Sequence, residues 1–533
     1  MDSALGIRTT QSGAAEIVDP VISWTGQTAC ALQAALRLTN EAFAEHLGIG
    51  VRTVASWHQR PEVLPKAAMQ QILDAALERS TTDEKRRFHQ LTSPEADNTA
   101  LAEADRLVTE DPHVGASLDW LDRRAGWVPG TARRKVVERI ATTDRNELDE
   151  RRRRRIQIQH AQVAAAVREY YRAGDGYGIY RGVHGSTSVP TTMLSRPEWL
   201  DLATELTPET DRLQLSRNTT PPPTDLDAFT ADRAVVRLAE AVALETRIYD
   251  LPLYQLVDIR VHSGDIAGTL GMNQFVEYAL TLDLLESELT DALTSGTQPQ
   301  PGNLPLRDHY LPDLDAVLNV SERLCAGGAV ALFAIARPAS AHQPLDFLLI
   351  VQERSGHVLN AARRLSLMQG FHQPMIDYRV ETRIALTLAR EIEEEMFGRE
   401  ELDNTVSDNR RADPMHPSRL TRPMRWLTKA PGRMRVEATG FGLNLTSGNY
   451  EFANLVVVED ERFWDKFGGH IEANWESGSV RRYSTQDREL LVDLIDDPNW
   501  TTSGLFTLFQ GLRRLHQLAP DRVNLPDLTW TLD

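Results

Sequence analysis

The sequence predicts a multidomain protein that folds in water: an all-α N-terminal domain, a mostly α connector, and a C-terminal α/β (α+β) domain built on a mixed sheet. Three observations predict it. At 533 residues and 59.8 kDa, the chain exceeds what one core organises and allows about three or four domains. Its composition, 41% hydrophobic, 25% charged and 7% aromatic, is globular and excludes collagen-like, fully disordered and coiled-coil architectures. The apolar spacing also changes along the chain: intervals of three and four up to about Leu91 give way, after Pro305, to short apolar runs with polar exits.

Residues 1–27 are small and polar and read as a flexible tail. They lack the basic lead and apolar centre of a secretory signal, and no run approaches the roughly 18 apolar residues of a membrane-spanning helix. Cys30 and Cys325 are the chain's two cysteines, which excludes a disulfide framework and a thiolate metal site and fits a reducing cytoplasm.

Residues 28–92 form the helical N-terminal domain. In LRLTNEAFAEHLGIGVRTVASWHQRPEVLP, Asn40 is placed to cap a helix whose inward face is Phe43, Ala44 and Leu47, and Gly48 stands where a left-handed terminus is needed. A tight turn launches a second helix, with Ile49 and Val54 packing back and Arg52, Thr53, Ser56 and His58 left outside. Short polar and basic side chains at the start of an exposed helix suit the DNA major groove. The stretch resembles the Cro/repressor-type (XRE-like) helix-turn-helix family, whose recognition helix ends near a Trp, here Trp57. His58-Gln59-Arg60 stands in place of that family's acidic residue and Gly. The resemblance implies a cytoplasmic bacterial transcription regulator that binds double-stranded DNA as a homodimer.

The connector, 93–230, is expected to be mainly helical, with a basic segment. Val128 to Arg172 carries 12 Lys plus Arg against 6 Asp plus Glu, although the whole chain has 58 against 76 and a net charge of −18. A polyanion must therefore meet a local basic surface. Arg151 to Arg155 are consecutive and on a helix point around its whole circumference. Two readings stay open: contact with phosphates, or a solvated helix paired with Glu147, Asp149 and Glu150. Two Pro-rich breaks follow, LSRNTTPPPTDLD and TSGTQPQPGNLP, both linkers or long loops. Between them and after the first lies an α/β subdomain, 231–304.

The C-terminal domain, 305–533, opens with AVALFAIAR (Ala329 to Arg337) and DFLLIVQER (Asp346 to Arg354), two strands. RVETRIALTLAREIEEEMFG is a helix. VEATGFGLNL and YEFANLVVVED are strands, and STQDRELLVDLI and SGLFTLFQGLRRLHQL helices. In AREIEEEMFG, Arg390, Glu391, Glu394 and Glu395 fall at about 0°, 100°, 40° and 140° on an α-helix and share a face, opposite Ile384, Leu388, Ile392 and Met396. Clustered carboxylates repel unless a cation sits among them, and Mg²⁺ favours such hard oxygen ligands. The alternative is a solvent-exposed acidic face.

This segment resembles the Nudix hydrolase family, whose signature places Arg-Glu, two variable residues and Glu-Glu in a helix after a Gly-rich loop, here RRLSLMQGFHQPM. Gly370 is the nearest glycine to the loop position and is displaced by six residues, and Glu381 is one residue from the upstream acidic position. The resemblance implies Glu391, Glu394 and Glu395 as metal ligands, with Glu391 as base and Arg390 as its orienting partner in a catalytic version. Together the two resemblances imply a DNA-binding regulator whose C-terminal domain senses a nucleotide-derived small molecule. A Mg²⁺-dependent Nudix-type pyrophosphohydrolase with an accessory helix-turn-helix is the alternative. His342 and His372 read as turn residues, and Trp464, Trp475 and Trp500 as core. Nucleophile-elbow and Cys-His motifs are missing from the sequence.

Overall fold

The structure, a computed structural model, describes residues 24–92, 94–171, 176–216, 225–246, 248, 250–341, 344–355, 363–399, 415–468 and 477–533. The expected tail lies outside these residues up to position 23. The chain divides into two compact units, Met1–Glu103 and Ala104–Asp533.

The chain begins all-helical over residues 26–170: α1 (Gly26–Leu36), α2 (Asn40–Leu47), α3 (Val51–Gln59), α4 (Ala67–Arg79), α5 (Thr82–Thr92), α6 (Pro94–Glu110), α7 (Val114–Arg124), α8 (Thr131–Thr142), α9 (Arg145–Gln157) and α10 (His160–Tyr170). In the first unit Leu32, Phe43, Leu47, Val54, Trp57, Leu73 and Phe88 are buried in one cluster. Apolar residues three and four apart on each helix produce that cluster once the helices cross.

A mixed α/β region follows. Its strands are β1 (Gly178–His184), β2 (Thr187–Ser195), β3 (Thr204–Glu205), β4 (Asp211–Leu215), β5 (Pro252–His262), β6 (Asp265–Gln274), β7 (Gly327–Arg337), β8 (Asp346–Arg354), β9 (Leu365–Ser366), β10 (Met368–Phe371), β11 (Met434–Asn444), β12 (Tyr450–Val458), β13 (Ser477–Ser484) and β14 (Leu528–Leu532). Between them run α11 (Ala228–Ala243), α12 (Phe275–Ala279), α13 (Leu284–Ser295), α14 (Pro305–Tyr310), α15 (Leu314–Leu318), α16 (Ile384–Glu391), α17 (Arg422–Thr428), α18 (Arg462–Phe467), α19 (Arg488–Ile495) and α20 (Thr502–Leu518).

The large sheet has the order β13-β8-β7-β12-β11-β2-β1-β14, with β7 and β12 parallel. A small sheet, β4-β6-β5, stands beside it. β7 is buried on both faces, which is why its sequence reads as a continuous apolar run rather than an alternation. On one face Phe333, Ile350 and Val456 pack in a cluster with Ile384 and Leu388 of α16 and Ile392 just after it. On the other, Leu332, Leu455 and Val457 meet Phe506, Phe509 and Leu512 of α20.

The connector is helical only through Tyr170; after it, β1 and β2 enter the same sheet as β11, and β14 from the C-terminus pairs with β1. Hydrogen bonding across some 350 residues is invisible to local periodicity. Gly182 shows the constraint: a Cβ there would overlap the Phe509 ring of α20. TSGTQPQPGNLP is a loop from α13 to α14 with left-handed Gly296 and Gly302, and residues 217–224 of the first Pro-rich break lie outside the described residues.

Candidate functional site

The helical hairpin is built as its spacing predicts, with two corrections. Gly48 ends α2 in the left-handed conformation (φ 67°), which a residue with a Cβ adopts only at a cost. The N-cap of α2 is Thr39, whose hydroxyl accepts from the Ala42 N–H, and not Asn40. Asn40 is buried instead, its amide oxygen accepting from Gln33 Nε2 at 2.8 Å. The other correction is His58: expected outside, it is half-buried, and its Nε2 lies 2.8 Å from Gln33 Oε1. Gln33 on α1 thus engages both residues, a link that separate inspection of α2 and α3 does not reveal.

On α3, Val54 and Trp57 face inward and Arg52 is exposed, whereas Thr53 and Ser56, also expected outside, are half-buried. Ser56 Oγ accepts from Arg60 at 3.0 Å. No side chain caps the start of α3, where Gly50 is the N-cap, and Val51 beside it is 41% exposed despite being apolar.

The acidic segment departs further from expectation. Ile384, Leu388, Ile392 and Met396 do face the core. The opposite face, however, is also buried: Arg390, Glu391, Glu394 and Glu395 are at most 7% exposed, and Glu393 is fully inaccessible. A solvated acidic face is thereby excluded. Residues Ile392–Met396 continue α16 as a π-helical turn, so the angles of a regular α-helix do not apply past Glu391.

Each buried carboxylate meets a donor. Arg390 Nη2 contacts Glu391 Oε1 at 2.7 Å, and its Nε lies 3.9 Å from Glu394 Oε2. The same guanidinium donates to the carbonyls of Phe371 and Gln373, each at 3.1 Å. Burial alone would lower Arg390, yet Glu391 and Glu394 hold it above its ordinary value. Arg399 approaches Glu393 at 3.2 Å and Glu394 at 3.7 Å. Glu393 accepts from the Thr421 N–H and hydroxyl. Glu395 accepts from Gln352 Nε2 on β8 at 3.3 Å and from the Gln369 N–H at 3.2 Å. Sequence reasoning passed over Glu393, Arg399 and Gln352. The one available signal was Glu393 itself, a fourth glutamate beside Glu391, Glu394 and Glu395, since a partner on another element leaves none.

Gly370 and Glu381 have structural work of their own. Glu391 lies directly over Gly370, and a Cβ there would overlap the carboxylate. Glu381 accepts from the N–H groups of Met375, Ile376 and Asp377 and so closes the loop before α16. Asp211 on β4 accepts from Ala385 N at 3.0 Å and anchors the start of α16, and burial pushes its carboxyl up to about 6.

The carboxylates do not fit Mg²⁺ as a ligand set in this arrangement. Their counter-charge comes from Arg390 and Arg399, and among the described residues no group of three or more His, Cys, Asp and Glu is gathered to hold a metal. His342 lies outside the described residues. His372 is buried, with Nδ1 2.9 Å from the Tyr450 hydroxyl, and burial pushes it down to about 3. Trp500 is in the core, Trp464 packs at its margin, and Trp475 lies outside the described residues.

The arginine run of α9 follows neither sequence reading in full. Arg151 pairs with Glu240 of α11 at 2.6 Å, and Arg155 makes two 2.6 Å bonds to Asp291 of α13. Arg154 lies 3.9 Å from Glu150 within α9, and Arg153 is exposed. The run thus ties α9 to the helices packed on it. Among the described residues no helix is long and apolar enough to cross a membrane. No protein-family model and no curated protein matches this chain.

Proposed function

We propose that the protein is a DNA-binding transcriptional regulator that reads double-stranded DNA with α3 as a homodimer, and that its α/β unit is a Nudix-like sensor of a nucleotide-derived ligand. The observation that carries the reading is the start of α3. An uncapped helix end offers backbone N–H groups to a phosphate, Arg52 beside it is exposed, and exposed Val51 has the apolar surface that a thymine methyl contacts. His58 leaves the set of base contacts, because its imidazole is engaged by Gln33. Thr53 and Ser56 flank Arg52 on the same short helix. Sensing is favoured over the Mg²⁺-dependent pyrophosphohydrolase because arginines, not an open cation position, balance Glu391 and Glu394.

Selection of random duplex DNA by the intact protein tests the reading. A selected site is expected, with affinity lost about tenfold or more in Arg52→Ala, the size of one good base or phosphate contact, and a steep fall with salt. Selection without an enriched site would sink the regulatory half. Incubation with Mg²⁺ and a panel of nucleoside-diphosphate derivatives is expected to give binding without turnover; turnover abolished by Glu394→Gln would overturn the sensor.

A further inference from the structure

Beside α9, and separate from the carboxylate helix, the α/β unit has a recess of about 50 Å³ whose lining includes Arg151, Arg152, Arg155, Arg237 and Glu240. Three of those arginines have carboxylate partners: Glu240 for Arg151, Asp291 for Arg155 and Asp283 for Arg237. Arg152 differs. It is half-buried, its Nη2 atom is enclosed without a hydrogen-bond partner, and so is Nε of Arg237. Leaving buried donors unmade is costly. Among the charges around them, Glu286 acts on Arg364 and Arg237, and Asp149 acts on Arg152. Arg363 adds to the positive field at Arg152. Burial holds the Arg152 guanidinium below its ordinary value against the attraction of Asp149 on the same helix.

We propose that this recess is a binding site for a phosphate group, either inorganic phosphate or the phosphate of a small monoester, held by Arg152 and Arg237 with Arg151 at its rim. Guanidinium forks match phosphate oxygens with paired N–H donors. The recess is far smaller than the roughly 300–1,000 Å³ of a pocket enclosing a whole drug-sized ligand, so it takes the anionic group and leaves the remainder outside. Arg151 and Arg155 keep 30% and 22% of their side-chain surface, which leaves the recess open to a ligand from solution. A small phosphate is preferred to the phosphodiester backbone of DNA because the unmet donors are enclosed rather than spread over a surface.

Calorimetric titration of the intact protein with inorganic phosphate and with glucose 6-phosphate tests the site. Both are expected to bind, or only the monoester if the outer part of the ligand is required, and dimethyl phosphate, a singly charged diester, is expected to bind more weakly. Arg152→Gln should weaken binding about tenfold or more while changing the thermal midpoint without phosphate little, since the enclosed Nη2 has no hydrogen-bond partner to lose and only the attraction of Asp149 is given up. Glu240→Gln, which frees Arg151 from its competitor, should tighten it. Failure of both probes to bind at millimolar concentration, or equal binding by wild type and Arg152→Gln, would overturn the site. So would unchanged phosphate binding together with weakened duplex-DNA binding in Arg152→Gln, which would assign the arginine to the DNA backbone.

Discussion

Helix α9 and the segment formed by α16 and its π-helical turn carry opposite charge runs, five arginines and four glutamates, and the fold handles them differently. On α16 and its π-helical extension every carboxylate is buried, and each has a cationic or amide donor: Arg390 of the same helix for Glu391, and Arg399, Gln352 or the Gln369 N–H for the rest. On α9 the arginines are half-buried to exposed; two reach carboxylates on neighbouring helices, one pairs locally, and Arg152 keeps an enclosed unpartnered donor. The difference follows from solvent. Removing an ion from water costs several kcal/mol unless it is fully compensated, whereas a partly hydrated guanidinium tolerates incomplete pairing. Complete compensation produces a structural network, and incomplete compensation leaves room for a ligand.

That contrast can be broken at its strongest point by Arg390→Met, which leaves Glu391 and Glu394 buried without their main cation. A loss of about 3–5 kcal/mol in urea unfolding is expected; a loss below about 1 kcal/mol would mean that water reaches these carboxylates. Next in size is the pH response of His372, which is buried and near Arg390. Its folded-state value lies below the unfolded one, so as pH falls below about 6.5 the unfolded chain takes up the proton first. Stability should drop by about 1.4 kcal/mol per pH unit down towards 3. Asp211, raised to about 6, acts in the opposite sense as pH falls through that value. The readout is therefore the difference between wild type and His372→Gln, in which the His372 slope should vanish.

On α9 the effects shrink. Arg155→Met should cost about 0.5–1 kcal/mol by thermal unfolding, because Asp291 remains 39% exposed and can rehydrate. A cost equal to that of Arg390→Met would erase the distinction between the helices. Arg153→Gln, on the exposed side, should fall within about 0.5 kcal/mol of wild type.

The sequence by itself determined the elements whose signals are local. The short apolar runs of β7 and β8, the strand-like stretches of β11 and β12, and the helical spacing of α16, α19 and α20 are all legible because each strand or helix writes its pattern into neighbouring residues. The same holds for the hairpin: Gly48 sits at the left-handed end of α2, and Val54 and Trp57 carry the inward face of α3. Only the tertiary structure decided what those elements meet. β1, β2 and β14 join a sheet with β7 and β12 through hydrogen bonds between distant segments. Gln33 draws His58 inward and Thr39 rather than Asn40 caps α2. Whether a charged run ends in solvent, in a buried network or around an open recess depends on the partners folding brings to it. Those partners, Gln352 for Glu395 and Asp291 for Arg155, lie at separations that no local pattern records.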